Sequence, residues 1–544
     1  MQFLGTRRSD KYLVSFFVIF LCVTTYYIAT KTLFYPNNHT DNLYNKGVVL
    51  RSANSSSHLL ETSYLHWFFY DTPIVHAEDW HRSLSLIVQR FFAERFPYNQ
   101  EWFIRIPHFL WTILWLGSAI SIYIEINREL FYSQKIPFLL GSILVVSLLV
   151  FNNWSLAILS AAFLDDVLGT IFVLLGIFFI LRKADSNKTA LAGLFFGMAY
   201  LAKDFNLIWG GIGFLLILVT EKLYSPERSL STIFGNATLY LFLLIAVYTP
   251  KFLWNWHDFG VPLFSPARTA LNARLLPNLI DGEHYFFVSK RMQVPGYFHA
   301  VNLVGCFSIL LDGLKALFQL FKYQILSFMI FPIGIFFSHF QEKNKKKDLL
   351  LNFIWIGLIS YFLFFVLRLG EATQTRYWLA PLSLIAIFFA STAAKGLAHP
   401  FRSVFLQKEM ITTLIVVFFL LALNFFPRLN SNQNNFFAHD IPYQAETIKA
   451  INNQMQAYPD SSVLLNTNSG VLVWSEFPQL EVVAVKPFML PTLSSTEFQE
   501  LIEKYDVKMA AFSNPDNELL ALLTNNGFEV FERIDQDVIF QYKP

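Results

Sequence analysis

Long apolar segments alternate with short polar ones along most of the chain. Two of the clearest are "YLVSFFVIFLCVTTYYIATKTLF" (12–34) and "LLLNFIWIGLISYFLFFVL" (349–367). Each has close to the ~20 residues that an α-helix needs to cross the ~30 Å hydrocarbon core of a bilayer. The same pattern predicts spans at 12–34, 108–126, 137–151, 160–181, 189–203, 205–220, 232–250, 324–340, 349–367, 378–395 and 410–426. We therefore expect a polytopic α-helical membrane protein with about eleven transmembrane helices.

Two further features of this pattern leave alternatives open. Segment 301–322 is apolar but carries three charged residues, Asp312, Lys315 and Lys322. Counting it as a span would place the lysine-rich segment 341–348 outside, so we expect a helix lying in the membrane interface. The adjacent segments 189–203 and 205–220 form either a re-entrant hairpin or two short spans.

The final part of the chain has a different pattern. Helical spacing in "YQAETIKAINNQMQAY", "TEFQELIEKY" and "NELLALLTNNG" alternates with strand-like runs, which are "SSVLLNT", "LEVVAVKP", "VKMAAFS", "FEVFERI" and "DVIFQYK". This pattern predicts a small soluble α/β domain at 430–544. The preceding residues 1–429 are expected to form the membrane domain, with outer-face loops at 36–104 and 251–322.

Lysine and arginine in short loops predict the orientation in the membrane. The basic segments are 6–11, 182–188, 221–228, 341–348 and 394–409. Placing all of them in the cytoplasm puts the N-terminus there as well. It forces 36–104, 251–300, 369–378 and the tail after Phe426 to the outside. We expect the inner membrane of a bacterium, with the C-terminal domain in the periplasm.

Composition agrees with a membrane protein and excludes some other classes. The chain is 54% hydrophobic and 15% charged, whereas soluble domains average about 25% charged residues. A formal net charge of +2 without a basic domain gives no indication of nucleic-acid binding. The two cysteines, Cys22 and Cys306, lie in apolar segments and are interpreted as small hydrophobic residues, not a disulfide or metal framework.

Charged residues at membrane depth are costly and often functional. Under the predicted topology five polar clusters face outward: 71–82, 165–166, 203–204, 255–258 with 268, and 371–377. Their carboxylates and histidines suit activation of a hydroxyl, or binding of a divalent cation. Their basic residues suit a phosphate. A site that needs both at the membrane surface fits a substrate linked to a lipid phosphate, whereas an ion transporter would more naturally place its charges near the midplane.

Five segments also resemble, in order, the motifs of a known family. "EDWHRSLSLIVQRFFAERFPYNQEWFIRIPHFLW" carries Asp79, His81 and Leu84, then Arg105, Ile106 and Pro107, and "AAFLDDVLGTIFVLLGIFFILRK" carries Asp165 and Asp166. "ALAGLFFGMAYLAKDFNLIW" carries Gly193, Gly197 and Lys203, "PKFLWNWHDFGVPLF" carries Trp254, Asn255 and His257, and "QTRYWLAP" carries Arg376, Tyr377 and Pro381. Together they resemble the GT-C glycosyltransferases that use polyprenyl-phosphate sugars, such as protein O-mannosyltransferases and the transferases that add aminoarabinose to lipid A.

This resemblance implies a GT-C-like fold and transfer of a sugar from a polyprenyl-phosphate carrier to a lipid, glycan or protein acceptor at the outer face. It makes Asp79 or Asp71 the acid–base or positioning residue, although the first outer loop lacks the family's Asp-Glu pair and also offers Asp41 and Glu61. Asp165 or Asp166 would support the acceptor or a metal.

The resemblance also implies groups that hold the carrier phosphate. These are Lys203 with Arg376 or Arg291, together with His81, Asn255, His257 and Tyr377, and the histidines are alternatively ligands of a divalent cation. No other cofactor is expected. The competing hypotheses are a polymerase or ligase of lipid-linked glycans, a lipid or glycan transporter, and a non-catalytic assembly protein.

Overall fold

The structure is a computed structural model. It describes residues 8–34, 46–47, 49–50, 53, 65–69, 72–75, 84–95, 101–151, 158–159, 162–163, 165–182, 186–203, 206–224, 228–259, 345–369, 378–398, 445–459, 461–466, 473, 477, 480–485, 490–491 and 493–543. These residues group into two compact units. The first lies within Met1–Tyr35, Arg105–Phe252 and Phe298–Asn432, and the second within Pro36–Ile104, Leu253–Tyr297 and Gln433–Pro544.

Helices dominate the described residues. They are α1 (Arg8–Ala29, continued by a π-helical turn at Thr30–Phe34), α2 (Leu84–Ala93), α3 (Glu101–Ile104), α4 (Ile106–Ile126), α5 (Arg128–Ser133), α6 (Lys135–Val150), α7 (Asp166–Leu181), α8 (Ser186–Ala202), α9 (Leu207–Tyr224), α10 (Leu230–Phe259), α11 (Lys345–Leu369), α12 (Leu379–Ala398), α13 (Ala445–Met455), α14 (Ser495–Lys504) and α15 (Asn517–Asn525).

Helices occupy nine of the eleven predicted spans, with ends that differ from the prediction by a few residues. The other two, 324–340 and 410–426, lie outside the described residues, as does the predicted interfacial helix 301–322. Among the described residues, three helices are by length and composition long and apolar enough to cross a bilayer: Ser15–Phe34, Trp102–Ile126 and Leu230–Leu253. The chain is therefore a helical membrane protein, and the full number of spans stays a prediction.

The apolar side chains of the first unit divide into a buried set and an exposed set. Helix α7 is buried along most of its length, from Val167 to Leu181, and packs against α4 and α8. By contrast, α1 exposes Phe16, Ile19 and Val23, each more than half accessible. An exposed apolar helix face is the surface that a bilayer solvates.

Small residues allow α8 and α10 to approach closely. A Cβ atom added at Gly193 would lie 2.3 Å from the carbonyl oxygen of Tyr240, and one at Gly197 would lie 2.8 Å from Cβ of Val247. Helices in lipid gain little from the hydrophobic effect on association, so close contact between backbones is a principal source of attraction. The two glycines of this motif therefore serve the packing of helices.

The second unit is built on a seven-stranded sheet with strand order β2-β1-β4-β3-β5-β7-β6. The strands are β1 (Leu65–Phe69), β2 (Thr72–Val75), β3 (Ser462–Asn466), β4 (Glu481–Val485), β5 (Val507–Ser513), β6 (Phe528–Ile534) and β7 (Asp537–Tyr542). Strands β1, β4, β3 and β5 are parallel, and β2, β7 and β6 pair antiparallel with their neighbours. Strands β3 to β7 and helices α13 to α15 coincide with the predicted α/β elements.

Side chains from the strands and from α14 and α15 form the core of this sheet. Leu464, Val483, Phe498, Phe512 and Phe540 are all buried in one cluster. Helix α14 begins with a capping box, in which Ser494 accepts from the backbone N–H of Glu497 and the Glu497 carboxylate accepts from the backbone N–H of Ser494. The placement of this unit outside the membrane stays a prediction.

A hairpin from the first third of the chain extends the sheet. Strand β1 pairs in parallel with β4, with Leu65 opposite Val482 and Trp67 opposite Ala484, and β2 folds back on β1. The sequence prediction treated these residues as part of the outer loop 36–104 and assigned them to the membrane domain. Their pairing partner is distant in sequence, so no local pattern could reveal it.

Candidate functional site

A buried ion pair joins the beginning of α7 to the end of α8. Nζ of Lys203 lies 3.4 Å from Oδ1 of Asp166, and their side chains are only 7% and 3% exposed. Helices α7 and α8 are consecutive and packed together, so the start of one meets the end of the other. Burying two charges is favourable only when they compensate each other, which indicates that this pair is a specific arrangement.

The helix ends favour both charges. Asp166 is the first residue of α7, where the partial positive charge of the helix N-terminus stabilises a carboxylate. Lys203 follows the last residue of α8, where the carbonyl dipoles stabilise a cation. Asp165 occupies the N-cap position of α7, is also buried, and its side chain forms no cap hydrogen bond. Two adjacent buried carboxyl side chains thus stand at the start of α7, and one of them, Asp166, pairs with the ammonium group of Lys203.

Asn206 orders the turn that carries Lys203. Its side-chain amide donates to the carbonyl of Ala199 over 3.1 Å, and its backbone N–H donates to the carbonyl of Lys203 over 3.0 Å. A Cβ atom at Gly169 would lie 2.4 Å from Nδ2 of Asn206, so α7 can approach this amide only because position 169 lacks a side chain. Asn206 and Gly169 therefore fix Lys203 against α7.

The first turn of α4 contributes a histidine and an arginine that the sequence analysis did not propose as site residues. His108 is fully buried, and Arg105, at the N-cap of α4, is 6% exposed. Arg105 and Asp166 both act electrostatically on the imidazole of His108. The sequence does indicate these two residues, because in "RIPHFLW" an arginine and a histidine stand at the start of an apolar span.

Several acceptor atoms of this site have no hydrogen-bond donor among the described residues. They are both carboxylate oxygens of Asp166 and Nδ1 of His108, all buried. Nζ of Lys203, 3.4 Å from Oδ1 of Asp166, forms an ion pair with this carboxylate but no hydrogen bond. Buried acceptors are normally satisfied, so the geometry leaves this carboxylate able to accept from a hydroxyl that enters the site.

A second cation lies near the same end of α8. Nζ of Lys251, on α10, stands 5.5 Å above the ring of Tyr200, which is buried and lies one turn before Lys203 on α8. Such a cation–π contact helps to position the ammonium group. Lys203, Lys251 and Arg105 thus make this end of the unit rich in positive charge.

Another charge cluster, around the buried Glu125, marks the opposite end of α4 and α7. Glu125, near the end of α4, pairs with Lys346 and lies 3.9 Å from Nε of Arg182, which follows α7. Since Asp166 and Arg182 are separated by the 16 residues of α7, the two clusters are about 24 Å apart along the helix. The Asp166–Lys203 site and the Glu125 cluster are thus distinct.

The structure brings together three of the predicted site residues, Asp165, Asp166 and Lys203. Asn255 and His257 lie near the end of α10, and their side chains are not described. The remaining predicted residues lie outside the described part of the chain; they are Asp71, Asp79, His81, Arg291, Arg376 and Tyr377. Their roles stay predictions.

The described residues do not bring together three or more histidine, cysteine or acidic side chains as metal ligands. Within this part of the chain one buried carboxylate of the site, Asp166, is paired with an ammonium group instead. The residues in hand therefore fit binding of an anion or a hydroxyl better than a metal.

Comparison with known proteins identifies the fold. No protein-family model matches the chain, and no curated protein matches its sequence. Among solved structures, it is similar to ArnT from Cupriavidus metallidurans bound to undecaprenyl phosphate, with a TM-score of 0.55 and 13% identity over 97% of this chain and 99% of ArnT. It is also similar to the Archaeoglobus fulgidus oligosaccharyltransferase in complex with zinc and sulfate, with a TM-score of 0.54 and 13% identity over 91% of this chain and 68% of that one.

The chain therefore has a GT-C-like fold, and the resemblance predicted from the sequence is confirmed at the level of the fold. It is a helical membrane protein of this structural class. At such low identity the likeness establishes the architecture alone. The chemistry must be argued from the residues of this chain.

Proposed function

We propose that this protein is a membrane glycosyltransferase that moves a sugar from a polyprenyl-phosphate carrier to an acceptor. The observation that carries the proposal is the buried Asp166–Lys203 pair, whose carboxylate oxygens accept no hydrogen bond from the described residues, in a GT-C-like fold. A sugar phosphate carried on a lipid needs a cation for its phosphate, and an acceptor hydroxyl needs a proton acceptor. Both groups are present in one buried site.

In the proposed reaction the acceptor oxygen attacks the anomeric carbon of the sugar. The bond between that carbon and the phosphate oxygen breaks, and the polyprenyl phosphate leaves with the electron pair. Asp166 accepts a hydrogen bond from the acceptor hydroxyl or orients it, and the hydroxyl proton passes to a carboxylate. Lys203 neutralises the negative charge that develops on the leaving phosphate.

The low exposure of the site strengthens these effects. Charges act more strongly where water is excluded, because the effective dielectric constant is lower. Lys203 is held by the helix end and by the turn at Asn206, so little reorganisation accompanies the reaction. Lys251, above the Tyr200 ring, supplies a further positive charge for the carrier.

The outer loops complete the proposal. Asp79 or Asp71 acts as the acid–base residue, and His81, Asn255, His257, Arg291, Arg376 and Tyr377 contact the substrates. In this proposal a divalent cation is bound by these loop residues and not by Asp166. The basic loops support an orientation with about eleven spans, a cytoplasmic N-terminus, and the site and α/β domain outside a bacterial inner membrane. The acceptor is lipid A, a surface glycan or a protein.

The proposal is tested by transfer assays in membranes that contain equal amounts of each variant. Undecaprenyl phosphate carrying labelled aminoarabinose, mannose or glucose serves as donor. Asp166→Asn and Lys203→Met are expected to lower transfer by about a hundredfold or more. In addition, Lys203→Met should weaken binding of undecaprenyl phosphate to the purified protein, whereas Asp166→Asn should not.

Glu125→Gln provides a matched control. Glu125 is also a buried carboxylate paired with cations, but it belongs to the cluster at the other end of α4. We expect near-normal transfer by this variant. Undiminished transfer by both Asp166→Asn and Lys203→Met would reject this site, and no transfer by the unmodified protein from any of the three donors would reject the function.

A further inference from the structure

The hydrogen bonds of His108 determine which of its two ring nitrogens carries the hydrogen. Its Nε2 atom lies 3.1 Å from the carbonyl oxygen of Ile158 and 3.2 Å from that of Leu159. Carbonyl oxygens only accept, so Nε2 carries the hydrogen and donates to both. The ring is fully buried. His108 thus ties the first turn of α4 to the backbone at Ile158, 50 residues later in the chain.

The segment held in this way leads directly into the acidic pair. Ile158 and Leu159 are buried, and Ala162 and Phe163, between them and Asp165, are fully buried. A buried backbone carbonyl that loses its donor is destabilised, because nothing else replaces the lost hydrogen bond. One side chain on α4 therefore satisfies two carbonyls of the segment that delivers Asp165 and Asp166 to the start of α7.

We infer that His108 is a positioning residue for the proposed glycosyl transfer, because its Nε2–H holds the segment before α7 and thereby fixes the Asp166 carboxylate opposite Lys203. The inference rests on the proposed function and adds to it a residue from a third helix. His108 acts through the backbone carbonyls of Ile158 and Leu159 that it holds. Its Nδ1 atom is not used in this contact.

The donor at Nε2 is the property that can be tested by substitution. In His108→Gln the side-chain amide can reach the same place and donate to the same carbonyls, whereas in His108→Leu a side chain of comparable size has no donor. Thr112→Val is the matched control. Thr112 lies one turn further along α4, is fully buried, and donates over 2.9 Å to the carbonyl of His108 within its own helix.

A cysteine at position 162 reports on the segment without any measurement of activity. In full-length protein with Cys22 and Cys306 replaced by serine, Ala162→Cys introduces a single thiol at a fully buried position. A maleimide should label it slowly when His108 is present. We expect labelling about tenfold faster with His108→Leu, because the segment opens more often, and unchanged labelling with His108→Gln or Thr112→Val.

The kinetic measurement separates positioning from a loss of folded protein. His108→Leu is expected to lower kcat about 10- to 100-fold, since small displacements of a reacting group have effects of this size. The KM for the undecaprenyl-phosphate sugar should change little, since the group that binds phosphate is untouched. His108→Gln should restore most of kcat, and Thr112→Val should retain it.

The inference is overturned if His108→Leu leaves the thiol protected, if His108→Gln behaves like His108→Leu, or if Thr112→Val has the same effects. Absence of transfer by the unmodified protein would instead overturn the proposed function. In that case the labelling rates alone would decide whether His108 holds the segment.

Discussion

Asp166 and Lys203 face each other at 3.4 Å where α7 begins and α8 has just ended, and both side chains are almost wholly buried. Each charge is stabilised by its own helix end and by the other charge. The relationship explains how two ionised groups persist at the end of a bundle of apolar helices. It also makes each group dependent on its partner, which has measurable consequences.

Removing one member of the pair should destabilise the protein more than removing both. Asp166→Asn leaves a buried ammonium group without its counter-ion, and Lys203→Met leaves a buried carboxylate, so each should lower stability by about 3–5 kcal/mol. The double variant should lose less than either single variant. Thermal unfolding of the three variants in detergent measures this coupling, and strictly additive losses would show that the two groups do not interact.

Substitution of Gly193 by alanine should separate α8 from α10. The added methyl group would meet the carbonyl oxygen of Tyr240 at 2.3 Å, so the helices must move apart at an expected loss of about 1–3 kcal/mol. Gly235, on the partner helix α10, has no atom within 4 Å of an added Cβ. Gly235→Ala should therefore leave the unfolding temperature unchanged or raise it slightly. Equal effects of the two substitutions would contradict this packing.

The parallel pairing of β1 with β4 can be tested by cross-linking. Leu65 and Val482 are direct neighbours in the register, and neighbouring strands lie ~4.8 Å apart, which is compatible with a disulfide. With Cys22 and Cys306 replaced, Leu65→Cys with Val482→Cys should form a disulfide under mild oxidation. Leu65→Cys with Met509→Cys should not, because β5 lies three strands from β1, at about 14 Å. Cross-linking of both pairs alike would contradict the strand order.

The contribution of Asp506 to stability should depend on pH. Hydrogen bonds from Lys508, at 2.6 Å, and from Ser461, also at 2.6 Å, lower the pKa of this carboxyl group below its usual value of 3.8. A folded-state pKa below the unfolded value stabilises the protein above the unfolded pKa. That contribution is lost as the pH falls through the folded pKa.

Asp506→Asn is the appropriate variant because Asp506 has φ 44°, a left-handed conformation that asparagine tolerates. Since the group is largely exposed, the loss at neutral pH should be below about 1 kcal/mol. Unfolding temperatures of the variant and the unmodified protein should differ at neutral pH and converge as the pH falls below 3.8 and through the folded-state pKa. A difference that grows on acidification would contradict the assignment.

Prediction from the sequence succeeded where the signal was local. Apolar runs such as 12–34 and 349–367 specify helices because the length of a span and the burial of its backbone groups depend only on neighbouring residues. The strands from Ser462 to Tyr542 were predictable for a similar reason, since short β-rich runs alternate there with amphipathic helices. Asp165, Asp166 and Lys203 were noticed because charge at membrane depth is rare.

The parts that were missed depend on contacts between distant segments. Pairing of β1 with β4 joins Leu65 to Val482, and His108 meets the carbonyls of Ile158 and Leu159. A histidine in an apolar run is, in sequence alone, equally consistent with a packed core residue. Its role follows from the acceptors that surround it.

The sequence by itself determined that this protein is built from apolar helices with an α/β segment at its end, because hydrophobic length and periodicity are properties of each segment alone. It also marked the charged residues at the helix ends. Only the tertiary structure decided that Asp166 pairs with Lys203, that His108 and Asn206 support them, and that an early hairpin completes the sheet. Those relationships arise from the packing of segments far apart in the chain, where burial makes each charge and each carbonyl require a specific partner.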